Sequence, residues 1–246
     1  MADGLTAQQQ RRVIESVSEP KYDVERFLAP RIEAPHVLNI EHEPLSKDER
    51  PLECNRMDLY FVASGDLASV SDPDFLSQVF DIDPQTEESK QLSAEELAQA
   101  GIDPATINPQ HESFSRVAAT IFERIELSGV GHSLWSQTED SILLAVHIDQ
   151  RFDRSADLAA RWERFERQDD GSMKSAETGA YPGAGAYLKI TRLEEPAGRL
   201  FIEAHGVLLE PYSWFRGRSL LVSKLPPAVR SQVKEIRRRA AKASRQ

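Results

Sequence analysis

Cysteine is almost absent from this chain. Cys54 is the one thiol among 246 residues, so no internal disulfide can form and the fold rests on packing. Long apolar runs are missing as well: nothing approaches the ~18 consecutive apolar residues of a membrane-spanning helix. The first 15 residues hold no apolar stretch of the kind a secretory signal needs. Together these absences give the expectation of a cytoplasmic protein. Catalytic signatures are absent too. There is no Gly-x-Ser-x-Gly elbow, no His-Glu-x-x-His and no cysteine pair. Cys54 stands beside Glu53, an acidic neighbour that does not activate a nucleophile. No cofactor and no metal are expected from motifs, and the chain reads as a non-enzyme.

Basic charge is scarce over most of the chain. The net charge is −10, from 30 Lys and Arg against 40 Asp and Glu. General nucleic-acid binding by the body is therefore excluded, because phosphate neutralisation needs clustered cations. The scarcity ends near the C-terminus. Residues 212–246 hold ten of the 30 cations and one of the 40 acids, Glu235, so a segment of net +9 follows a body of net −19. This asymmetry bears on partners more than on fold.

The composition, 40% hydrophobic and 28% charged, is that of a globular chain able to bury a core. A first helix is expected over 7–17, closed before Pro20, with Val13, Ile14 and Val17 as its narrow apolar stripe. Prolines at 20, 30, 35, 44 and 51 then suit an extended wrapping segment. Residues 1–55 are accordingly read as an N-terminal helix and wrap, and 56–246 as a single α+β domain. Strands are expected over 57–63, 116–127, 133–138, 141–149, 186–193 and 199–209. Gly129-Val130-Gly131 and Glu139-Asp140 are read as turns between the middle ones. Asp72-Pro73, Asp83-Pro84, Asp103-Pro104 and a Ser93–Glu96 capping box mark short helices. Residues 41–104 carry 16 acids and four bases, and about 67–110 is read as a helical acidic insertion. Ser155 is expected to cap a helix with Leu158, Trp162 and Phe165 on one face. Pro226-Pro227 is expected to open a last helix to about 243, with Val229, Val233, Ile236 and Ala240 as its stripe.

These elements predict an α+β fold: an antiparallel meander of about six strands with a C-terminal amphipathic helix packed on it. A curved sheet gripping a terminal helix leaves a cavity between them. That element order is similar to the order in helix-grip, START-like carriers of lipids and small ligands, which implies a pocket for a small apolar or amphipathic molecule.

Three constellations carry candidate chemistry. His147 and Asp149 share one strand face, as do Glu203 and His205. Brought together, they would form an acid–base or metal-binding set. By chance, roughly two of six histidines would have an acid two positions away, and this chain has two. The glycine-rich stretch 179–187 leads into a strand, not a helix, so it is not a phosphate loop; Tyr181 and Tyr187 within it are read as flanking a ligand entrance. After Pro211, Trp214 and Phe215 stand beside Arg216 and Arg218, and Arg230, Lys234, Arg237 and Arg238 decorate the last helix. Trp214 and Phe215 are candidate ligand contacts. The arginines and lysine are candidate contacts to an anionic membrane surface or acidic partner. The leading expectation is a ligand carrier, with an enzyme and a basic-tail adaptor as alternatives.

Overall fold

The computed structural model describes residues 1–19, 21–45, 52–71, 90–168, 170–212, 214–215 and 220–244. Its centre is one antiparallel sheet of nine strands, not about six. In chain order these are β1 (His36–Pro44), β2 (Leu52–Ser64), β3 (Glu112–Ile121), β4 (Ile125–Gln137), β5 (Ser141–Ile148), β6 (Arg161–Arg167), β7 (Met173–Ala180), β8 (Ala184–Arg192) and β9 (Arg199–Pro211). The helices are α1 (Ala7–Ser18), α2 (Val24–Leu28), α3 (Leu67–Val70), α4 (Ala94–Gln99) and α5 (Leu220–Ala243). The sheet runs β1-β2-β9-β8-β5-β4 and divides at β4. One edge of β4 pairs with β3 over ten residue pairs. The other pairs first with β6, through 125–128, and then with β5, through 131–137.

The additional strands arise where local signals misdirect. Gly129 and Gly131 are not turn residues; they lie inside β4. The glycines are there for close approach. A Cβ on Gly129 would stand 3.2 Å from the Cα of Ala160, and one on Gly131 2.8 Å from Val117 Cγ1. The real β3–β4 turn falls at Phe122 and Glu123, both left-handed at φ 52° and 57°, and is closed by the Arg124 amide donating to Ile121 carbonyl oxygen at 3.1 Å. Two non-glycine residues in that region make a hairpin turn without its usual Asn-Gly signature. The helix expected after Ser155 is also replaced: Ser155 accepts from the Leu158 amide, but 161–167 is β6, paired with β7. Trp162 and Phe165 have helical spacing, yet the Asp170–Ser172 bond at the tip closes a β-hairpin instead.

α1 begins with a Thr6/Gln9 capping box. With α2 it lays Ile14, Val24, Phe27 and Leu28 on Val37, Val62 and Phe201 of the sheet. The extended segment after α2 carries β1, which forms an edge of the sheet beside β2. The opposite sheet face is covered by α5. Val229, Val233 and Ala240 pack on Leu59, Phe61, Leu200 and Ile202, with Ile236 partly buried beside them. Pro226 and Pro227 lie inside α5 and do not open it; each removes an intrahelical donor and so weakens the ladder at that point. Of the expected acidic insertion, the described parts hold α3, α4 with its Ser93/Glu96 capping box, and a 3-10 turn at Pro104–Thr106. Asp72-Pro73 and Asp83-Pro84 lie outside the described residues, and a continuous helical insertion is not seen.

Candidate functional site

The side chains of the α5-facing sheet surface fall into two zones. Around Val229, Val233 and Ala240 helix and sheet meet in a sealed core. Beyond Leu225 they part, leaving a cavity of about 580 Å³. Val117 and Ala119 of β3, Val146 of β5, Ala186 of β8, Met57 of β2 and Leu208 of β9 line it. Small residues make the room: Gly131, Ala184, Ala186 and Gly206 all face this space. Val146 is 37% exposed, so the cavity opens to solvent. Phe122, held in its left-handed turn, stands at one wall and its ring meets Phe215 at 6.0 Å.

One corner is polar. Asn55 lines the cavity, donates through Nδ2 to Glu210 Oε2 at 2.9 Å and shares a 3.0 Å bond with His42 Nδ1. His42 Nε2 lies 3.4 Å from Glu53. Glu210 is 2% exposed. Burial pushes its carboxyl up to about 7, with Glu53 adding to the rise while Asn55 and His42 oppose it.

The four His and carboxylate positions singled out in the sequence share a sheet face, the one turned away from α5, but do not converge. β8 lies between β5 and β9, so His147 and His205 belong to separate groups. Glu203 accepts a hydrogen bond from the Met1 ammonium. His205 Nδ1 is 2.5 Å from Asp58 Oδ1, and its ring stacks on Tyr187 at 4.6 Å. His147 instead pairs with His132 across β4–β5. Tyr187 thus stands on the face opposite the cavity. Tyr181 does line the cavity, and behind it Trp214 stacks at 5.6 Å. Trp214 and Phe215 are buried in one aromatic cluster with Trp162 and Ile125. Burial raises the Tyr181 phenol.

Four of the described cations of the basic tail are engaged within the chain. Arg237 is 3% exposed. It donates to the carbonyl oxygens of Val62, Ile32, Ala34 and Pro35 at 2.5–3.1 Å, and so turns inward, not toward a surface. Lys234 pairs with Glu33 at 2.8 Å and Arg238 with Glu235 at 3.3 Å. Arg230 is exposed; Arg216 and Arg218 lie outside the described residues. Sequence reasoning missed His42 and His132, which stand on β1 and β4. It also missed Asn55 and Glu210, whose meeting requires the β2–β9 register.

No helix among the described residues is long and apolar enough to cross a membrane. No family model matches the chain, and no curated protein matches it. Among solved structures it is similar to an uncharacterised protein from Rhizobium leguminosarum, at 11% identity and TM-score 0.37, over 82% of this chain and 99% of that one. It is also similar to the human StarD13 lipid transfer and protein localization domain, at 10% identity and TM-score 0.40, over 82% and 89%. A third likeness is to human STARD10, at 8% identity and TM-score 0.32, over 98% of this chain and 82% of that one. These are remote likenesses of overall shape, and the cavity stands on its own geometry.

Proposed function

We propose that this protein binds one small amphipathic molecule in the space between the sheet and α5. The observation that carries the reading is the cavity itself: about 580 Å³, open to solvent and lined mostly by apolar residues, with Asn55 among the few polar ones. That volume falls within the ~300–1,000 Å³ of small-molecule sites, where an apolar wall gives affinity and a few polar groups give orientation. The ligand's apolar body lies along Val117, Val146, Ala186 and Leu208, and its polar end meets Asn55, backed by Glu210.

Native mass spectrometry of the purified chain, followed by solvent extraction, tests this. A defined extra mass is expected, with displacement by an environment-sensitive apolar probe. Gly206→Leu fills the space with little disturbance, because a Cβ there meets nothing closer than Met57 Cε at 3.7 Å. It should weaken probe binding at least tenfold, ~1.4 kcal/mol, with the melting curve retained. A folded Gly206→Leu protein that binds as the wild type does, or a wild type that neither carries nor takes up an apolar molecule, overturns the proposal.

A further inference from the structure

Three ligand-type side chains meet on the sheet face turned away from α5. His132 and His147 are register partners in the β4–β5 hairpin. Their rings are 5.0 Å apart, centroid to centroid, and inclined at 65°. Asp149 follows two residues after His147, where β5 gives way to the 3-10 turn Gln150–Phe152. One ligand atom from each of the three lies within 4.8 Å of the other two.

Two of the three groups are held by partners that suit this task. His132 stacks on Phe114 at 4.2 Å and 10°, and its Nε2 lies 2.7 Å from Glu112 Oε1. That bond fixes the tautomer: Nε2–H donates to the carboxylate, and the Nδ1 lone pair faces Asp149 Oδ2 at 4.0 Å. A carboxylate behind a histidine is the arrangement that orients imidazole ligands on metals. Asp149 is 4% exposed. Arg151 Nε donates to both its oxygens at 3.0 Å and Nη2 to Oδ2 at 2.5 Å. Burial opposes its charge, but the bonds from Arg151 hold its carboxyl below the ordinary value. The Arg151 amide adds a bond to Oδ1 at 3.0 Å, so all four lone-pair directions are engaged and a metal ion at Oδ2 takes the place of the shared Nε contact.

We propose that His132, His147 and Asp149 form a binding site for a divalent transition metal of the zinc class, with Glu112 orienting His132 and Arg151 orienting Asp149. Two imidazoles and one carboxylate select zinc-like ions over magnesium or calcium, which prefer all-oxygen sets. Metal–ligand bonds of ~2.0–2.2 Å require the three atoms to draw in to about 3.3 Å of one another. His147 is exposed and its ring can swing in without disturbing the core, while His132 Nδ1 and Asp149 Oδ2, 4.0 Å apart, must close by about 0.7 Å through small side-chain rotations. Three protein ligands leave a further position for water or a guest.

The test uses the untagged full chain, stripped with chelator. Zinc chloride is titrated calorimetrically, and cobalt(II) is followed by visible absorption. One ion per chain is expected, with the d–d bands of a four-coordinate cobalt site. His147→Ala should lose about a hundredfold in affinity while keeping the wild-type melting temperature without metal. Glu112→Gln should weaken binding ~10–100-fold, as loss of an orienting carboxylate does. Absence of saturable binding to the wild type, or unchanged affinity in both His147→Ala and His147→Gln, overturns the assignment. His147 borders both sites, and the two proposals are told apart by their readouts, metal affinity here and apolar-probe binding there.

Discussion

Glu210 shows how one buried acid ties the polar corner of the cavity to pH. Its carboxyl is raised from 4.5 to about 7 by burial, with Glu53 pushing the same way and Asn55 and His42 opposing. A group whose folded value lies above its unfolded value binds its proton more tightly in the native state. The stability it contributes is therefore complete below about pH 4.5 and is lost as pH rises through 7. Glu210→Gln, which keeps the bond to Asn55 without a charge, should remove this decline. Denaturant titrations of the two proteins between pH 5 and pH 8 should converge at the acid end. At the basic end the variant should be more stable, by roughly 1–3 kcal/mol; equal pH slopes would show that Glu210 titrates normally. Residues of this kind are hard to read in sequence, since Asn55 and Glu210 are 155 positions apart. His132 was within reach. It stands seven residues before Glu139 and His147 seven after Asp140, so the hairpin closed on those two acids pairs them. Reading Gly129-Val130-Gly131 as a turn cut the strand short and hid the partner.

At the scale of elements, β5, β8, β9, α1 and the stripe of α5 were legible because their apolar spacing and their caps or turns agree. β6 and β7 were not, because Leu158, Trp162 and Phe165 mimic a helical face while Trp162 packs as a strand residue against Gly179 and Trp214. The mode of attachment of α5 was equally hidden. Its apolar stripe predicts burial, but Arg237 supplies a polar clamp, donating to four carbonyls of the β2 end and the 32–35 segment. Burial lowers its guanidinium to about 10, still charged at neutral pH, and its plane lies 5.5 Å from the Phe61 ring centroid. Arg237→Met keeps the bulk and removes the donors, leaving buried carbonyls without a partner. The expected loss is about 2–4 kcal/mol, seen as a fall of roughly 5–10 °C in the melting temperature. Arg237→Lys should recover little, because an ammonium cannot span the four acceptors that the planar fork reaches. Full recovery by Lys would reduce the clamp to a point charge.

The whole molecule is a single sheet with two differently treated faces. Part of one is covered by α1 and α2 around Ile14, Phe27 and Phe201, with His147 and Tyr187 exposed elsewhere on it; the other is half closed by α5 and half open as the cavity. The charge asymmetry of the sequence is partly internal to this arrangement, since Lys234 of the basic helix pairs with Glu33 of the acidic body. Closing one face independently of the other makes stability and ligand affinity separable. A ligand at 100 times its dissociation constant adds ~2.7 kcal/mol, which for a chain of this size is a rise of roughly 5–10 °C. Ile14→Ala, under α1, should destabilise both the ligand-free and the loaded protein by about 2–4 kcal/mol, and leave the ligand-dependent rise in melting temperature unchanged. Gly206→Leu, on the open face, should do the reverse: a ligand-free melting temperature near that of the wild type and little rise on loading. Because the two sites share no partner, the double variant should show the sum of the single effects within ~0.5 kcal/mol. A ligand increment that shrinks with Ile14→Ala would mean that the sheet transmits strain from one face to the other, and that α1 and α2 take part in shaping the cavity.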